Sequence, residues 1–437
     1  MRTSRTAGLL VVGVLAGLAW AVPPAAPRFG PGHRLEGLPV SDAPAPVYAA
    51  DPGHWLNELS ALLFTWTQVP EEVGGALPGE HPAVDFYVKG WQFKKRKGGA
   101  ADRATFGGDV RVSAVVSVDA ARRAKLLPAL DRLSTPEKVA AVPELRAPLA
   151  RLLLQWDVLS LWWRLESDQK WKAGDPELLA AMARTVKALA LPRAALERLP
   201  AGTDGLLEQF AGKDAPRSPA EPYLPPDMLR PAGSAWVEVD RKATKLFRGD
   251  VALRASRVYL RAGTRAAGVE VVEAAARADR PNIPDGTEVG VVMTLIGFDP
   301  DLTPVATPVV DEVRVRRLTG PFRLAADNPT SSHDGVDHWI YYRSRAGTLL
   351  GGAPFRFVPD TAQALFLEYG SAKHTTFAAQ CALCHRAEVN TPSIPRGISV
   401  LNPHNRPRVA TDPAARDRAA VAEISPVAER LRARAGE

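Results

Sequence analysis

The sequence predicts an α+β chain, an α-rich N-terminal domain followed by an antiparallel β-rich C-terminal domain that a short helix closes. Three observations predict this class. Up to about Gly212 the apolar residues recur mainly at helical spacing, whereas beyond residue 235 they alternate with polar ones, the period of strands. Between the two lie Pro216, Pro219, Pro222, Pro225, Pro226 and Pro231, which neither a helix interior nor a central strand accepts. The 437 residues exceed what one core usually supports, and at 46% apolar they can fill two. The expected division is 51–212 for the first domain, 213–235 for a Pro-rich linker and 236–437 for the second.

Arg2 and Arg5 precede an uncharged apolar run over 7–20, and Ala19-Trp20-Ala21 supplies the small residues of a cleavage site. Residues 1–21 therefore read as a secretory signal peptide that sends the chain to the periplasm or an equivalent oxidising space. Pro23-Pro24, Gly13 and Gly17 make it a poor membrane anchor, and no other apolar stretch is long enough to span a bilayer, so no integral span is expected after cleavage. Residues 22–50 hold seven prolines and read as a disordered lead-in. Loss of Arg2 and Arg5 takes the net charge from +7 to +5, a weak bias towards acidic partners. No nucleic-acid motif or basic stripe with interleaved aromatics is present.

Asp51-Pro52-Gly53-His54 reads as a helix start, with His54 as a cap or surface residue, followed by Trp55, Leu56, Leu59, Leu62, Leu63 and Trp66 at helical spacing. Val84, Phe86 and Val88, then Val110, Val112, Ala114 and Val116, alternate as a pair of strands would. The basic run Phe93-Lys94-Lys95-Arg96-Lys97-Gly98-Gly99 between them suits a solvated loop, or a surface that steers an acidic redox partner. Ser134-Thr135-Pro136-Glu137 starts another helix. Residues 148–167 form the strongest helical pattern, the central buried helix of the domain, and Trp156, Trp162 and Trp163 within it, with Trp171 beyond, read as core.

In the second half, strands are expected around Trp236–Val239, Val251–Leu260, Val269–Val272, Val289–Phe298, Val309–Leu318 and Trp339–Tyr342, with turns at Pro284-Asp285-Gly286 and Ala346-Gly347. Val313-Arg314-Val315-Arg316 alternates as in a sheet with one wet face. His333, Asp334, Asp337 and His338 are metal-ligand types crowded together, more simply a polar loop before a strand. Past the closing helix, 391–408 is irregular and rich in Pro and Arg, and a short charged helix follows through Arg430.

The closing helix carries Cys381-Ala-Leu-Cys384-His385, and these are the only two cysteines in the chain. C-x-x-C-H is the signature of covalent c-type haem attachment. Read as the first turns of a helix, 373–380 would put Phe377, Cys381, Cys384 and His385 at i, i+4, i+7 and i+8, one face to meet one flat ligand. One haem c would be held by thioethers from Cys381 and Cys384, with His385 as the proximal iron ligand. A thioredoxin-like dithiol would want a preceding strand, structural zinc would want further ligands, and a disulfide here would close a very small loop.

The far side of the iron is open to three readings. Met1, Met182, Met228 and Met293 all lie upstream, and Met293 sits in an apolar run that reads as core. His404, in Asn402-Pro403-His404-Asn405, is the distal candidate, His374 being too near the motif to reach the opposite face. The remaining reading is an open or water-occupied site. Arg386, Arg396, Arg406 and Arg408 suit haem propionates, or are ordinary solvated arginines.

A single C-x-x-C-H after a β-rich segment with the aromatic strand Trp339-Ile340-Tyr341-Tyr342 resembles the β-sheet monohaem cytochromes, cytochrome c-prime-beta and its hydroxylamine-oxidising relatives, over 236–388. The resemblance implies an open iron that binds gases. The oxidising members also cross-link the haem to a lysine on a strand well before the motif; here the sole lysine after Lys245 is Lys373, eight residues before Cys381. Electron transfer to a redox partner protein is the leading expectation, with an open-site haem enzyme or gas sensor as the alternative and a scaffold with haem as passenger as the third. No hydrolase triad, phosphate loop or metalloprotease helix appears.

Overall fold

A computed structural model describes residues 46–64, 66–68, 104–106, 118–167, 175–212, 222–240, 253–277, 282–320, 336–358, 365–369, 372–376, 401 and 406–436. These residues form the mixed α+β architecture that the change of period predicts: N-terminal helices, a seven-stranded antiparallel sheet, and a C-terminal helix packed back on both.

The helical half holds α1 (Trp55–Phe64), α2 (Ala120–Asp131), α3 (Pro136–Ala140), a 3-10 turn (Pro143–Leu145), α4 (Pro148–Ser167), α5 (Pro176–Ala188), α6 (Arg193–Leu196) and α7 (Thr203–Phe210). Its starts are set by the side chains the sequence offers. His54 Nδ1 accepts from Leu56 N, Asp119 accepts from Arg122 N, and Thr135, followed by Pro136, accepts from Lys138 N. The central helix falls at 148–167 as expected, buried nearly all round, with Trp156 and Trp162 in the core. Trp66 does not extend α1, which stops at Phe64; it begins β1 (Trp66–Gln68), antiparallel to β2 (Ala104–Phe106). The strands expected around Val84–Val88 and Val110–Val116, and the basic run at 93–99, lie outside the described residues.

The sheet runs β11-β3-β4-β5-β6-β7-β8, from β3 (Val237–Asp240), β4 (Arg254–Arg261), β5 (Glu288–Phe298), β6 (Pro304–Leu318), β7 (Val336–Arg343), β8 (Phe355–Val358) and β11 (Arg408–Val409). Pairing of Leu260 with Val289, Val289 with Arg316, and Arg316 with His338 sets one face; the neighbouring residues, Tyr259, Val292, Val313, Val315, Trp339 and Tyr341, set the other. On the first face α8 (Arg265–Arg277) lies over β3, β4 and β11. The second is covered by α7 and by the Pro-rich segment, whose Tyr223, Leu224 and Met228 are buried against Trp236, Trp339 and Tyr341.

Four expectations are corrected here. Val269–Val272 is not a strand but part of α8: Gly268, Val271, Val272 and Ala275 are buried at i, i+3, i+4 and i+7, and the alanines around them favour a helix. Ala346-Gly347 reverses the chain, but inside a one-turn helix, α9 (Arg345–Leu349), that Ser344 caps. Lys373 to Thr376 is not helical: β10 (Ala372–Thr376) pairs antiparallel with β9 (Leu365–Tyr369), and its two adjacent β-branched threonines suit a strand. The charged C-terminal helix is longer than expected, α10 (Pro413–Ala435).

Helices and sheet share one apolar cluster. Leu152, Trp156 and Leu196 meet Leu253, Leu295 and Phe298, and Ile424 and Leu431 of α10 join them. Gln155 in α4 ties the halves through polar atoms too, donating to Phe298 O and accepting from Phe298 N at 2.9 Å each. The end of the lead-in is also held: Val47, Tyr48 and Ala49 are buried, and their amides donate to Asn57 Oδ1.

Candidate functional site

Cys381, Cys384, His385 and the distal candidate His404 lie outside the described residues, as do His333, Asp334, Arg386 and Arg396. The flanks of the motif are described. The β9–β10 hairpin ends at Thr376, and the chain is described again at Leu401, which is buried among Val239, Val258, Leu260, Leu318 and Val336. Leu401 thus packs on the first sheet face. Arg408 then joins β3 at its edge, pairing its guanidinium with Asp240 at 2.6 Å.

The next residues along that face are polar. Val291 pairs with Arg314 and Val289 with Arg316; Arg314 pairs onward with Ile340, Arg316 with His338, and Glu312 with Tyr342. This row differs from the expected wet face: Glu312 is 0% exposed and Arg314 8%, while Arg316 and His338 are half-buried. Burial is tolerated because the charges are paired. Arg314 Nε bonds Glu312 Oε1, and Arg254 approaches Glu312 Oε2 at 3.5 Å.

From Glu312 the charges run inward to the seam between sheet and helices. Arg254 donates to Asp311 Oδ2 through Nε and Nη2, at 2.9 and 2.6 Å. Arg345, wholly buried, donates from Nη1 to Asp311 Oδ1 at 2.7 Å and from Nη2 to Asp157 Oδ1 at 3.1 Å. Tyr48 OH donates to Asp157 Oδ2 at 2.7 Å. Both guanidiniums lie over the Trp156 ring, at 4.4 and 5.7 Å. Burial alone would raise the pKa of Asp311; Arg345 and Arg254 outweigh it and hold the carboxyl at about 2. Arg343, also buried, donates to Val310 O at 2.6 Å and to Ala201 O at 2.9 Å, and burial pushes its pKa down to about 10.

A second polar cluster fixes the Pro-rich segment to the other face. Tyr223 OH donates to Glu288 Oε1 and accepts from Arg261 Nη2, both at 2.8 Å, and Tyr223 N donates to Tyr341 Oη at 2.7 Å. Burial, then Glu288, pushes the Tyr223 phenol pKa up. Neither cluster was singled out by motif. The available signal was Asp157, an acid among Trp156, Val158 and Leu159 on a helix that reads as buried, which demands a buried cation.

The three described methionines, Met182, Met228 and Met293, are fully buried in apolar clusters, as a core reading of Met293 expects. His54 serves as the cap already described. Asp337 accepts from Arg317 Nη2 at 2.9 Å, and no group of three or more His, Cys, Asp or Glu among the described residues is arranged to hold a metal ion. Among the described residues no helix is long and apolar enough to cross a membrane. On the first sheet face His338 of β7 stands opposite Arg316 of β6, and Val336 and Ile340 are its buried neighbours along the strand. The chain matches no protein-family model, no curated protein and no solved structure.

Proposed function

We propose that the protein is an exported c-type cytochrome carrying one covalent haem and serving electron transfer. One observation carries the reading: the chain's only two cysteines stand as Cys381-x-x-Cys384 with His385 directly after, in a chain whose first 21 residues read as a secretory signal. Cys381 and Cys384 would hold the porphyrin through thioethers and His385 would ligate the iron. Bound there, the haem supplies a one-electron couple.

The surrounding fold supports an electron carrier in two ways. The described polar clusters are closed, with their carboxylates bonded to guanidiniums or to a tyrosine hydroxyl, and so present no general base towards a substrate. The sheet is also stiff, with seven strands packed on both faces, which suits a redox centre that changes charge but little else. Reduction of the purified protein by small donors, followed in the visible spectrum, tests this. Fast reduction with a six-coordinate iron in both oxidation states is expected.

The second reading, an open-site haem enzyme or gas sensor, is favoured by the methionines. None lies after the motif, and the three described ones are buried in apolar clusters. An iron that stays five-coordinate and binds carbon monoxide readily would select it over electron transfer.

A further inference from the structure

We propose that Gln209 closes the outer edge of β8: its side-chain amide stands where a further strand would pair, and so keeps β8 of a second copy of this chain from adding there. The first support is register. Ser344 N donates to Pro354 O at 3.0 Å, in the same antiparallel register that sets Arg343 against Phe355 and Tyr341 against Phe357. Facing residues alternate between bonded and non-bonded pairs, so Phe355 and Phe357 are not bonded to their opposites, and their N–H and C=O groups point away from β7. Among the described residues β8 is the last strand on this side of the sheet, and these are the groups that another strand would use.

The second support is chemistry. Both outward groups of Phe355 are taken: its N donates to Gln209 Oε1 at 3.1 Å, and Gln209 Nε2 donates to Phe355 O at 3.3 Å. A residue of a neighbouring antiparallel strand would exchange the same two bonds, and a primary amide offers the same donor and acceptor as a peptide group. The third support is placement. Gln209 is the penultimate residue of α7, and Phe210 after it packs on Tyr341 and Phe357 at ring distances of 5.0 and 6.5 Å. Gly205 lets α7 approach, because a Cβ there would stand 2.9 Å from Pro354 Cγ. The partner follows from symmetry. Two β8 strands related by a twofold axis at Arg356 would set Phe355 of each copy against Phe357 of the other, so every bonded pair needs a Phe355 that Gln209 already occupies. Arg356, which is exposed, would then face its own copy, a like-charge contact that opposes the same pairing.

The test uses the full mature chain made in an export-competent host, compared with Gln209→Met, which keeps the side chain's length without its amide, with Arg356→Thr, and with the double variant. Sedimentation equilibrium over a wide concentration range reads the mass, hydrogen exchange across 354–358 reads the edge, and far-ultraviolet circular dichroism checks the fold. The parent and Arg356→Thr should keep one mass at every concentration, with the Phe355 amide protected. Gln209→Met should lose that protection when dilute. The double variant should approach twice the parent's mass as concentration rises and regain protection at Phe355 as it does. A folded double variant that keeps the parent's mass throughout overturns the proposal, and so does association that leaves 354–358 unprotected, because the contact then lies elsewhere. Gln209→Asn, one methylene too short to reach Phe355, replaces Gln209→Met if that variant fails to fold.

Discussion

Replacing Arg345 with Met should cost about 3–5 kcal/mol of stability, the loss typical of breaking a buried ion pair by removing one partner. Three guanidiniums face three carboxylates at the seam, and Arg345 bridges Asp157 of α4 to Asp311 of β6. Methionine fills much of the volume but leaves two buried carboxylates sharing one fewer cation. Urea unfolding of the mature protein, followed by the fluorescence of Trp156 and its neighbours, measures the loss. The double variant Arg345→Met, Asp311→Asn restores charge balance, so its cost should fall below the sum of the singles by more than about 1 kcal/mol. The pH dependence gives an independent check. Asp311 has its pKa depressed from the ordinary 3.8 to about 2 in the folded state. Its contribution is therefore complete above about pH 4 and is lost as pH falls towards 2. At about 1.36 kcal/mol per pH unit that contribution is about 2 kcal/mol. Removing Arg345 should move the acid-unfolding transition to higher pH. A loss under about 1 kcal/mol with an unmoved acid transition would refute the claim that this seam holds helices and sheet together.

Gly202 has φ +75, and a Cβ there would meet the Arg343 guanidinium, so Gly202→Ala should cost about 1–3 kcal/mol by strain and displacement together, read as a lowered urea midpoint. Tyr223→Phe removes the hydroxyl shared by Glu288 and Arg261 and should cost about 1–2 kcal/mol, while Tyr341→Phe, which removes only the acceptor for Tyr223 N, should cost no more. Both are measurable by thermal unfolding, and a neutral Tyr223→Phe would show that the Pro-rich segment is held by apolar burial alone.

What the sequence made legible were the elements with a long, unmixed period. The helix at 148–167 was plain because Leu and Trp recur over five turns, β5 because its apolar run is long and rich in Val, and β6 because Val alternates with Arg at its end. Short apolar runs were ambiguous: Val269–Val272 fits either period, and only the packing of α8 over β3 and β4 decides it. Partner identity was not legible at all. Arg254, Asp311 and Arg345 are far apart along the chain, so their burial follows from tertiary pairing that no local pattern encodes. Tyr48 and Tyr223 lie in stretches that composition marks as loose, and hydrogen bonds to distant side chains pin both. The proposed haem motif is the opposite case: Cys381, Cys384 and His385 are marked by spacing alone, because C-x-x-C-H is a local pattern that needs no tertiary partner to be recognised.

The central claim is covalent haem at Cys381 and Cys384, and the most direct measurement is the visible spectrum of the denatured mature protein beside that of its Cys381→Ala, Cys384→Ala variant. The account predicts one haem per chain that stays attached through denaturation in the parent and is absent from the variant. A parent that releases its haem on denaturation, or carries none, would contradict it.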